Sequence, residues 1–274
     1  MPGVKMSVLG INYIGHDASA SLMCDGKLVA AAEEERFTRF KKHYGGFPKN
    51  AISFCLKQAG VNPGDLDHIG YYVNKAELLS PQGIQYAFTP WYAMRKKLLL
   101  ASRLYYYYHC QTMRFRLNHY FPELRHNVRI HFIGHHDAHM ASAFFASPFE
   151  KADIISIDGI GEWESTVTGQ GEANNIQKIR SVFFPHSIGY LFSAVTRYLG
   201  FRVNNDEFKV MGLAGYGDKT RFLPLLREII HFTDDGGYFI NDAYLKPQKS
   251  WGHVSKRFKD ECGFPARVPE SDLC

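Results

Sequence analysis

The sequence predicts a mixed α/β (α+β) fold. Short apolar runs with the alternation of β-strands are interleaved with longer segments of helical periodicity. No repeat longer than a hairpin occurs in the sequence. Hydrophobic residues make up 45% of the 274 residues, which is enough for a packed core in one large domain or two smaller ones.

The N-terminal elements predict a sheet with a hairpin, followed by a helix. A strand over residues 6–13 leads through a Gly-His-Asp turn to a hairpin over 18–35, which reverses at the Asp-Gly pair at 25–26. Residues 47–60 then have the periodicity of an amphipathic helix. The apolar face of this helix comprises Ile52, Cys55, Leu56 and Ala59, and Gly60 closes it.

The later elements alternate in the same way. Two further strands, at 67–73 and 129–134, flank a mainly helical insertion at about 80–128, with Pro90 as a break. A helix over 137–147 stops before a proline. It is followed by strands at 151–159, 164–171 and 177–185 and by helices at 187–200 and 209–217.

The net charge of +5 is concentrated in one segment. Residues 95–129 hold eight Arg and Lys against one Glu, and they include four consecutive tyrosines at 105–108. Basic residues interleaved with aromatics suit nucleic-acid binding. They also suit an amphipathic helical insertion whose tyrosines pack on the domain and whose arginines are solvated. We favour the second interpretation, and therefore expect no nucleic-acid partner.

Targeting features are missing from the sequence. Its start is too polar for a secretory signal, and its apolar runs are too short to span a membrane. The five cysteines are scattered without CxxC spacing, which favours reduced thiols over a disulfide framework or a zinc site. We therefore expect a cytoplasmic protein without a membrane partner.

Three histidines lie close together at the start of the helix expected at 137–147. His135 and His139 are four residues apart, which places both imidazoles on one helix face, as in other two-histidine metal motifs. The chain holds 13 histidines, so about 0.6 pairs at this spacing arise by chance. The same residues suit a polar helix start, and a metal site needs further ligands from elsewhere in the fold.

Glycine-punctuated turns border three apolar strands, at 10–21, 156–165 and 207–218. Each suits either an ordinary turn or a cradle of backbone amides for a phosphate, and none is a P-loop or a Rossmann fingerprint. A strand-turn-strand start with a later Asp-Gly-x-Gly turn is the layout of the actin-like ATPase and sugar-kinase superfamily. In that layout Asp158 lies at a strand end beside the nucleotide cleft, where a carboxylate can bind a cation.

Four motifs, taken in order, carry a family resemblance. They are GINYIGHDASASLMCDGKLVAAAEEERFTRFKKH (10–43), HHDAHMASAFFASPF (135–149), SIDGIGEWES (156–165) and NNDEFKVMGLAGYGD (204–218). Together they strongly resemble the O-carbamoyltransferases, a family of nodulation, antibiotic-tailoring and toxin-tailoring enzymes. The resemblance covers nearly the whole chain outside 75–128.

The resemblance implies an enzyme in two parts. A C-terminal domain similar to the tRNA threonylcarbamoyl-adenylate synthases makes carbamoyl-adenylate from carbamoyl phosphate and ATP. An N-terminal actin-like domain, akin to the universal tRNA threonylcarbamoyl-transfer protein, binds this adenylate. It passes the carbamoyl group to a hydroxyl of a small-molecule natural product, and it holds a divalent metal, which the resemblance identifies as Fe²⁺.

The same resemblance assigns roles to individual residues. His135 and His139 become metal ligands, and Asp158 becomes the third. His16 is placed near the transferred carbamoyl group, where histidine is suited to take a proton from the attacking hydroxyl. The alternative is that His16 is a turn histidine that forms only local hydrogen bonds. His136 projects about 100° away from the ligand face of an ideal helix, so it is expected to contact the adenylate or the metal ligands.

Four further residues are nucleotide candidates by resemblance. The backbone amides of Gly159, Gly161 and Gly212 are suited to the phosphate and ribose of the adenylate. Lys209 is the fourth candidate, and it equally suits a solvated position at a helix start.

Members of the family are longer than this chain. We expect residues 1–233 to form the first lobe of the actin-like domain and 234–274 to form an irregular connector. The C-terminal half would then come from a longer chain or a partner chain, and the single lobe is also suited to a homodimer. The alternative function is a catalytically incomplete lobe that serves as a partner-binding or tRNA-binding module. The intact histidines and aspartate of the metal motif argue against that alternative.

Overall fold

The computed structural model describes residues 6–43, 45–80, 93–218, 220–245 and 253–268. Contacts between Cα atoms divide the chain into two units, residues 1–138 and 139–274. The boundary falls inside one continuous helix, α5 (His135–Phe144). The mixed α/β class predicted from the sequence is confirmed.

The first unit is built on a five-stranded sheet. Its strands are β1 (Ser7–Asn12), β2 (Ser19–Cys24), β3 (Lys27–Glu33), β4 (His68–Tyr71) and β5 (Arg129–Phe132). They lie in the order β3-β2-β1-β4-β5. The first three strands are antiparallel neighbours, whereas β4 and β5 run parallel to β1. The predicted hairpin is confirmed, because Cys24 pairs with Lys27 across the turn.

The helices of this unit are α1 (Glu35–Thr38), α2 (Lys49–Ala59), α3 (Lys75–Leu78) and α4 (Ala93–Tyr120), with a 3₁₀ turn at Pro63–Asp65. Of these, α2, α3 and α4 contribute buried residues to the core on one side of the sheet. Alternate residues of β1, including Leu9 and Ile11, point into the core. The helical face predicted for α2 is confirmed, since its four apolar residues are all buried, and Gly60 ends the helix at φ 64°.

A buried carboxylate orders the start of α2. Glu34 lies just after β3 and is almost fully buried. Its Oε1 accepts the side-chain amide of Asn50 at 2.7 Å, and its Oε2 accepts the backbone N–H of Ala51 at 2.8 Å. Backbone amides at a helix start lack partners within the helix, and they carry the positive end of its dipole. Glu34 therefore serves as the cap that Pro48, the residue before α2, cannot supply.

Replacing Glu34 with alanine should lower the free energy of unfolding by about 1–3 kcal/mol, because buried amides lose their acceptor. Urea unfolding monitored by circular dichroism measures this loss. Glu33 is the matched control, since its carboxylate is half-exposed and pairs with Arg36 at the surface; its removal should cost under about 1 kcal/mol. Equal losses for the two alanine variants would contradict the capping role.

The basic, tyrosine-rich segment forms the long helix α4. Tyr106 and Tyr107 pack against the first core, whereas Tyr105 and Tyr108 are exposed. Arg103 is buried, so the expectation that the arginines of this segment are solvated does not hold there. The break expected at Pro90 lies outside the described residues.

The second unit contains a three-stranded antiparallel sheet and a helical region. The sheet has the order β6-β7-β8, with β6 (Lys151–Ile157), β7 (Glu164–Glu172) and β8 (Asn175–Phe183). Met140 and Phe144 of α5 pack on this sheet against Ile154 and Val167. The remaining elements are α6 (Ile188–Tyr198), α7 (Glu207–Ala214), α8 (Leu223–Ile229), β9 (Ile230–Phe232), β10 (Tyr238–Ile240) and α9 (Lys256–Cys262).

The segment expected to be an irregular connector contains regular structure. It holds β10, which pairs with β9, and α9. Phe258 and Cys262 of α9 are buried in a core shared with Tyr190 and Tyr198 of α6. The α9 part of this segment therefore belongs to the second unit, because its buried residues pack against α6.

Across the described ranges, no helix has both the length and the apolar content that a bilayer span requires.

Candidate metal centre

The helix α5 presents two histidines on one face. The carbonyl of Gly134 accepts the first helical hydrogen bond, from Ala138, so the helix starts at His135, two residues earlier than predicted. A Cβ at Gly134 would lie 2.4 Å from the carboxylate of Asp137, so the Asp137 side chain lies close to the residue that precedes the helix. His135 and His139 are one turn apart on this continuous helix.

Asp158 follows β6 directly and is held by its own turn. Its backbone N–H donates to the carbonyl of Ser165, and its Oδ1 accepts the N–H of Gly159 at 2.6 Å. The hydroxyl of Ser187, the residue before α6, donates to the carbonyls of Asp158 and Gly159. Gly189 lets α6 approach closely, since a Cβ there would lie 2.5 Å from the Asp158 carbonyl. These contacts fix the direction of the Asp158 carboxylate.

The two histidines and the aspartate converge. One ligand atom from each of His135, His139 and Asp158 lies within 4.8 Å of the other two. The His139 Nε2 is 3.7 Å from the Asp158 Oδ2. Two ligand atoms on a tetrahedral ion, each about 2.1 Å from the metal, are roughly 3.4 Å apart, so small side-chain adjustments would let these groups share one ion. Two imidazoles and a carboxylate are a donor set that suits Fe²⁺ or Zn²⁺.

His136 lies on a different side of α5 from the ligand pair. It is completely buried, and its ring centroid is 5.6 Å from that of His135. This placement fits a residue that supports His135 better than one that meets a ligand from solvent.

His16 is carried by a tight loop between β1 and β2. Its Nδ1 lies 2.6 Å from the Asp17 Oδ2, and the side chain is 56% exposed. Asp17 has a left-handed φ of 58°, its N–H donates to the Lys42 carbonyl, and its own carbonyl accepts the side-chain amide of Asn12. The loop is therefore held at both sides while the imidazole of His16 faces solvent.

Two tyrosines missed by the sequence reasoning support this loop. The Tyr72 hydroxyl donates to the Tyr13 carbonyl at 3.4 Å and is hydrogen-bonded to the Tyr106 hydroxyl. The Tyr72 ring centroid is also 5.5 Å from that of His135. Burial raises the pKa of the Tyr106 hydroxyl, so it stays protonated at neutral pH. The run of four tyrosines was the only sign of Tyr106 in the sequence, and it does not show which of the four contacts the loop.

The contact between the loop and α4 gives a testable coupling. A Cβ at Gly15 would lie 3.1 Å from the Tyr106 hydroxyl. Replacing Gly15 with alanine should therefore cost about 1–3 kcal/mol of unfolding free energy, as small-to-large changes in packed sites do. In a Tyr106→Phe background the penalty should fall by about 0.5 kcal/mol or more. A Tyr108→Phe background is the matched control, because Tyr108 is exposed; equal penalties in both backgrounds would rule out the contact.

The four nucleotide candidates lie in ordered surroundings. The N–H of Gly159 donates to the Asp158 carboxylate, and that of Gly161 donates to the Glu164 carbonyl. Gly212 lies inside α7, where helical geometry directs its N–H along the helix. Lys209 is in the first turn of α7 and forms an ion pair with Asp206 at 2.9 Å. The Asp206 carboxylate is therefore the partner that orients Lys209.

The family described as "Carbamoyltransferase N-terminus" matches residues 7–267, so this mixed α/β chain belongs to the carbamoyltransferase family. The family identified from the four sequence motifs is thereby confirmed.

Several relatives are much longer than this chain. An uncharacterized protein of Synechocystis sp. is 37% identical over 281 residues, which cover 97% of this chain and 44% of that protein. Nodulation protein NolNO of Sinorhizobium fredii is 35% identical over 236 residues, which cover 84% of this chain and 32% of that protein. An uncharacterized protein of Methanocaldococcus jannaschii is 29% identical over 209 residues, which cover 76% and 33% of the two chains. The chain thus spans less than half the length of each of these relatives.

Proposed function

We propose that this chain is the N-terminal part of an O-carbamoyltransferase, and that this part transfers a carbamoyl group from carbamoyl-adenylate to a hydroxyl of a small-molecule natural product. The observation that carries the proposal is the convergence of His135, His139 and Asp158 within a chain of the carbamoyltransferase family. Because carbamoyl-adenylate is made from ATP and carbamoyl phosphate, we place the reaction in the cytoplasm.

The topology of the first unit supports an actin-like lobe. An antiparallel β1-β2-β3 meander continues into the parallel strands β4 and β5, in the order β3-β2-β1-β4-β5. The loop between β1 and β2 carries His16, and the Asp-Gly-x-Gly turn follows β6. These are the two turns that an actin-like enzyme uses for its nucleotide, so the topology agrees with the sequence layout.

The three converging residues would hold the metal, which we take to be Fe²⁺. A bound divalent cation supplies positive charge that stabilises developing negative charge on a carbonyl or phosphoryl oxygen. His136 and Tyr72 lie against His135 and would hold its ring in place. Such supporting contacts are common around metal-binding histidines.

His16 would act as the base. The contact of its Nδ1 with the Asp17 carboxylate places the ring proton on Nδ1 and makes Nε2 the basic nitrogen. In the transfer step the acceptor oxygen forms a bond to the carbamoyl carbon, and the bond from that carbon to the adenylate phosphate oxygen breaks. His16 takes the hydroxyl proton, and AMP leaves with the electron pair of the broken bond.

The remaining parts of the enzyme would lie outside this chain. The relatives are more than twice its length, so we propose that adenylate synthesis and the opposite side of the nucleotide site come from a further segment of the same polypeptide or from a partner chain. A homodimer is a second arrangement that would pair two such lobes.

The direct test supplies carbamoyl-adenylate to the purified chain, with Fe²⁺ and a panel of sugars and other hydroxylated acceptors. The assay is run with and without the C-terminal portion of the Synechocystis relative. We expect acceptor-dependent release of AMP and carbamoylated product when the C-terminal portion is present. If neither AMP nor a carbamoylated product forms in any combination, and the carbamoyl-adenylate stays intact, the proposed reaction is wrong.

A further inference from the structure

The chain contains two three-stranded meanders with the same internal order. In the first unit β1 pairs with β2, and β2 pairs with β3, all antiparallel. In the second unit β6, β7 and β8 repeat this antiparallel order. A helix of 11 residues follows each meander, α2 in the first unit and α6 in the second. The two meanders can therefore be compared strand by strand, with β6 in the position of β1.

The strands β1 and β6 differ on the side that faces away from their hairpin partners. There β1 has a second neighbour, because β4 pairs with it in parallel. Among the residues that the structure describes, β6 is paired with β7 alone. The strand β6 is thus the edge of its sheet, whereas its counterpart β1 lies inside a sheet.

The hydrogen bonds to β7 show which backbone groups of β6 point to the open edge. The N–H of Asp158, directly after β6, donates to the Ser165 carbonyl at 2.8 Å. Bonded and non-bonded positions alternate along an antiparallel pair, so the even-numbered positions of β6 bond to β7. The N–H and C=O groups of Ile155 and Ile157 therefore point away from β7, toward the open edge.

The side chains at these two positions are exposed as well. Ile155 and Ile157 are 64% and 49% exposed, and they lie on the opposite face of the sheet from Ile154, which packs in the core with α5. Edge strands usually carry charged residues or proline that discourage pairing with another strand. The second half of β6, residues 154–157, contains neither. It is therefore an apolar edge that can receive a further strand.

The counterpart positions in β1 show what such an edge becomes when a strand is added. The carbonyl of Ser7 accepts the N–H of Asp67, directly before β4, so odd-numbered positions of β1 face β4. The next two such positions are Leu9 and Ile11, which are almost fully buried in the first core. The same kind of position is thus apolar in both meanders, buried in β1 and exposed in β6.

We propose that the edge of β6 is the docking site for a parallel β-strand from the C-terminal portion of the longer enzyme. Backbone hydrogen bonds to Ile155 and Ile157 would join this strand to the sheet, and burial of the two side chains would add a hydrophobic contribution. The choice of the C-terminal portion rests on the proposed function and on the greater length of the relatives, whereas the open edge does not. A second copy would bring its own β6, which a two-fold axis pairs antiparallel, unlike β4 on β1.

The test compares the intact chain alone with a fusion of the intact chain to the C-terminal portion of the Synechocystis relative. Hydrogen–deuterium exchange, resolved to single residues by mass spectrometry, reports on each backbone N–H. We expect the amides of Ile155 and Ile157 to exchange about tenfold or more slowly in the fusion, because they gain hydrogen-bond acceptors. The amide of Asp158 already bonds to Ser165, so it should be protected in both proteins.

Two aspartate variants separate the edge of β6 from the surface in general. In the fusion, Ile155→Asp should remove most of the protection of the Ile157 amide, because it places a charge where an apolar contact is proposed. Leu28→Asp is the matched control, since Leu28 lies on the edge strand β3 and is also 64% exposed; it should leave the protection unchanged. The isolated Ile155→Asp chain should unfold at the same urea concentration as the parent chain, which checks its fold.

Equal exchange of the Ile155 and Ile157 amides in the isolated chain and in the fusion would overturn the proposal. Equal protection in the two aspartate variants would do the same. Protection in the isolated chain that rises with its concentration would assign the edge to a second copy instead. None of these measurements involves carbamoyl transfer, so a failure of the docking site and a failure of the proposed reaction are distinguishable.

Discussion

Replacing His139 with alanine should weaken the binding of Fe²⁺, or of Co²⁺ as a spectroscopic substitute, by at least ~100-fold. Removing a residue that merely supports a metal ligand already costs about 10–100-fold, and His139 is a proposed ligand itself. Its Nε2 lies 3.7 Å from the Asp158 carboxylate, on the face of α5 that also carries His135. Titration of the visible absorption of Co²⁺ with the intact chain measures the effect directly.

His131 provides the matched control for this experiment. It lies on β5 and forms a pair with His68, with 3.0 Å between their ring nitrogens. His131→Ala removes an imidazole outside the proposed site, so it should change the affinity of that site by less than about twofold. Asp158→Asn should behave like His139→Ala, because an amide oxygen is a weaker ligand than a carboxylate. If His139→Ala binds the metal as tightly as His131→Ala, the assignment of the metal centre is wrong.

Replacing His16 with asparagine should slow carbamoyl transfer by ~10²-fold or more, which is the usual contribution of a positioned general base. The affinity for carbamoyl-adenylate should change little, since the proposed base acts on the acceptor and not on the nucleotide. The measurement is single-turnover product formation in the reconstituted enzyme, combined with a separate titration of adenylate binding. A fall in the rate at saturating acceptor, without a matching loss of adenylate binding, is the expected pattern.

Two further variants separate proton transfer from loop structure. Asp17→Asn keeps the size of the side chain but removes the negative charge beside the His16 Nδ1, so it should slow transfer by a smaller factor than His16→Asn. His126→Asn removes an exposed histidine elsewhere in the first unit and should leave transfer unchanged. Full turnover in His16→Asn would contradict the role of general base and leave His16 as a turn residue that contacts Asp17.

The regular elements of the chain could largely be predicted from the sequence. The hairpin at 25–26 and the buried face of α2 follow from local signals, because turn chemistry and hydrophobic periodicity act over a few residues. The start of α5 was misplaced by two residues, because the helix already includes His135 and His136, which precede the apolar part of its sequence. The prediction of an irregular connector missed α9, because a helix of seven residues is marginal by itself and depends on the core in which its Phe258 and Cys262 are buried.

What the sequence determined by itself was the α/β class, the family, and the pairing of His135 with His139 on one helix face. Each of these depends on the order and spacing of residues close together in the chain. Only the tertiary structure decided that Asp158 lies within reach of His139, that Tyr72 and Tyr106 support the loop of His16, and that α9 shares a core with α6. The physical reason is that such distances are set by the packing of whole helices and strands. That packing depends on many weak contacts at once, so no short motif contains it.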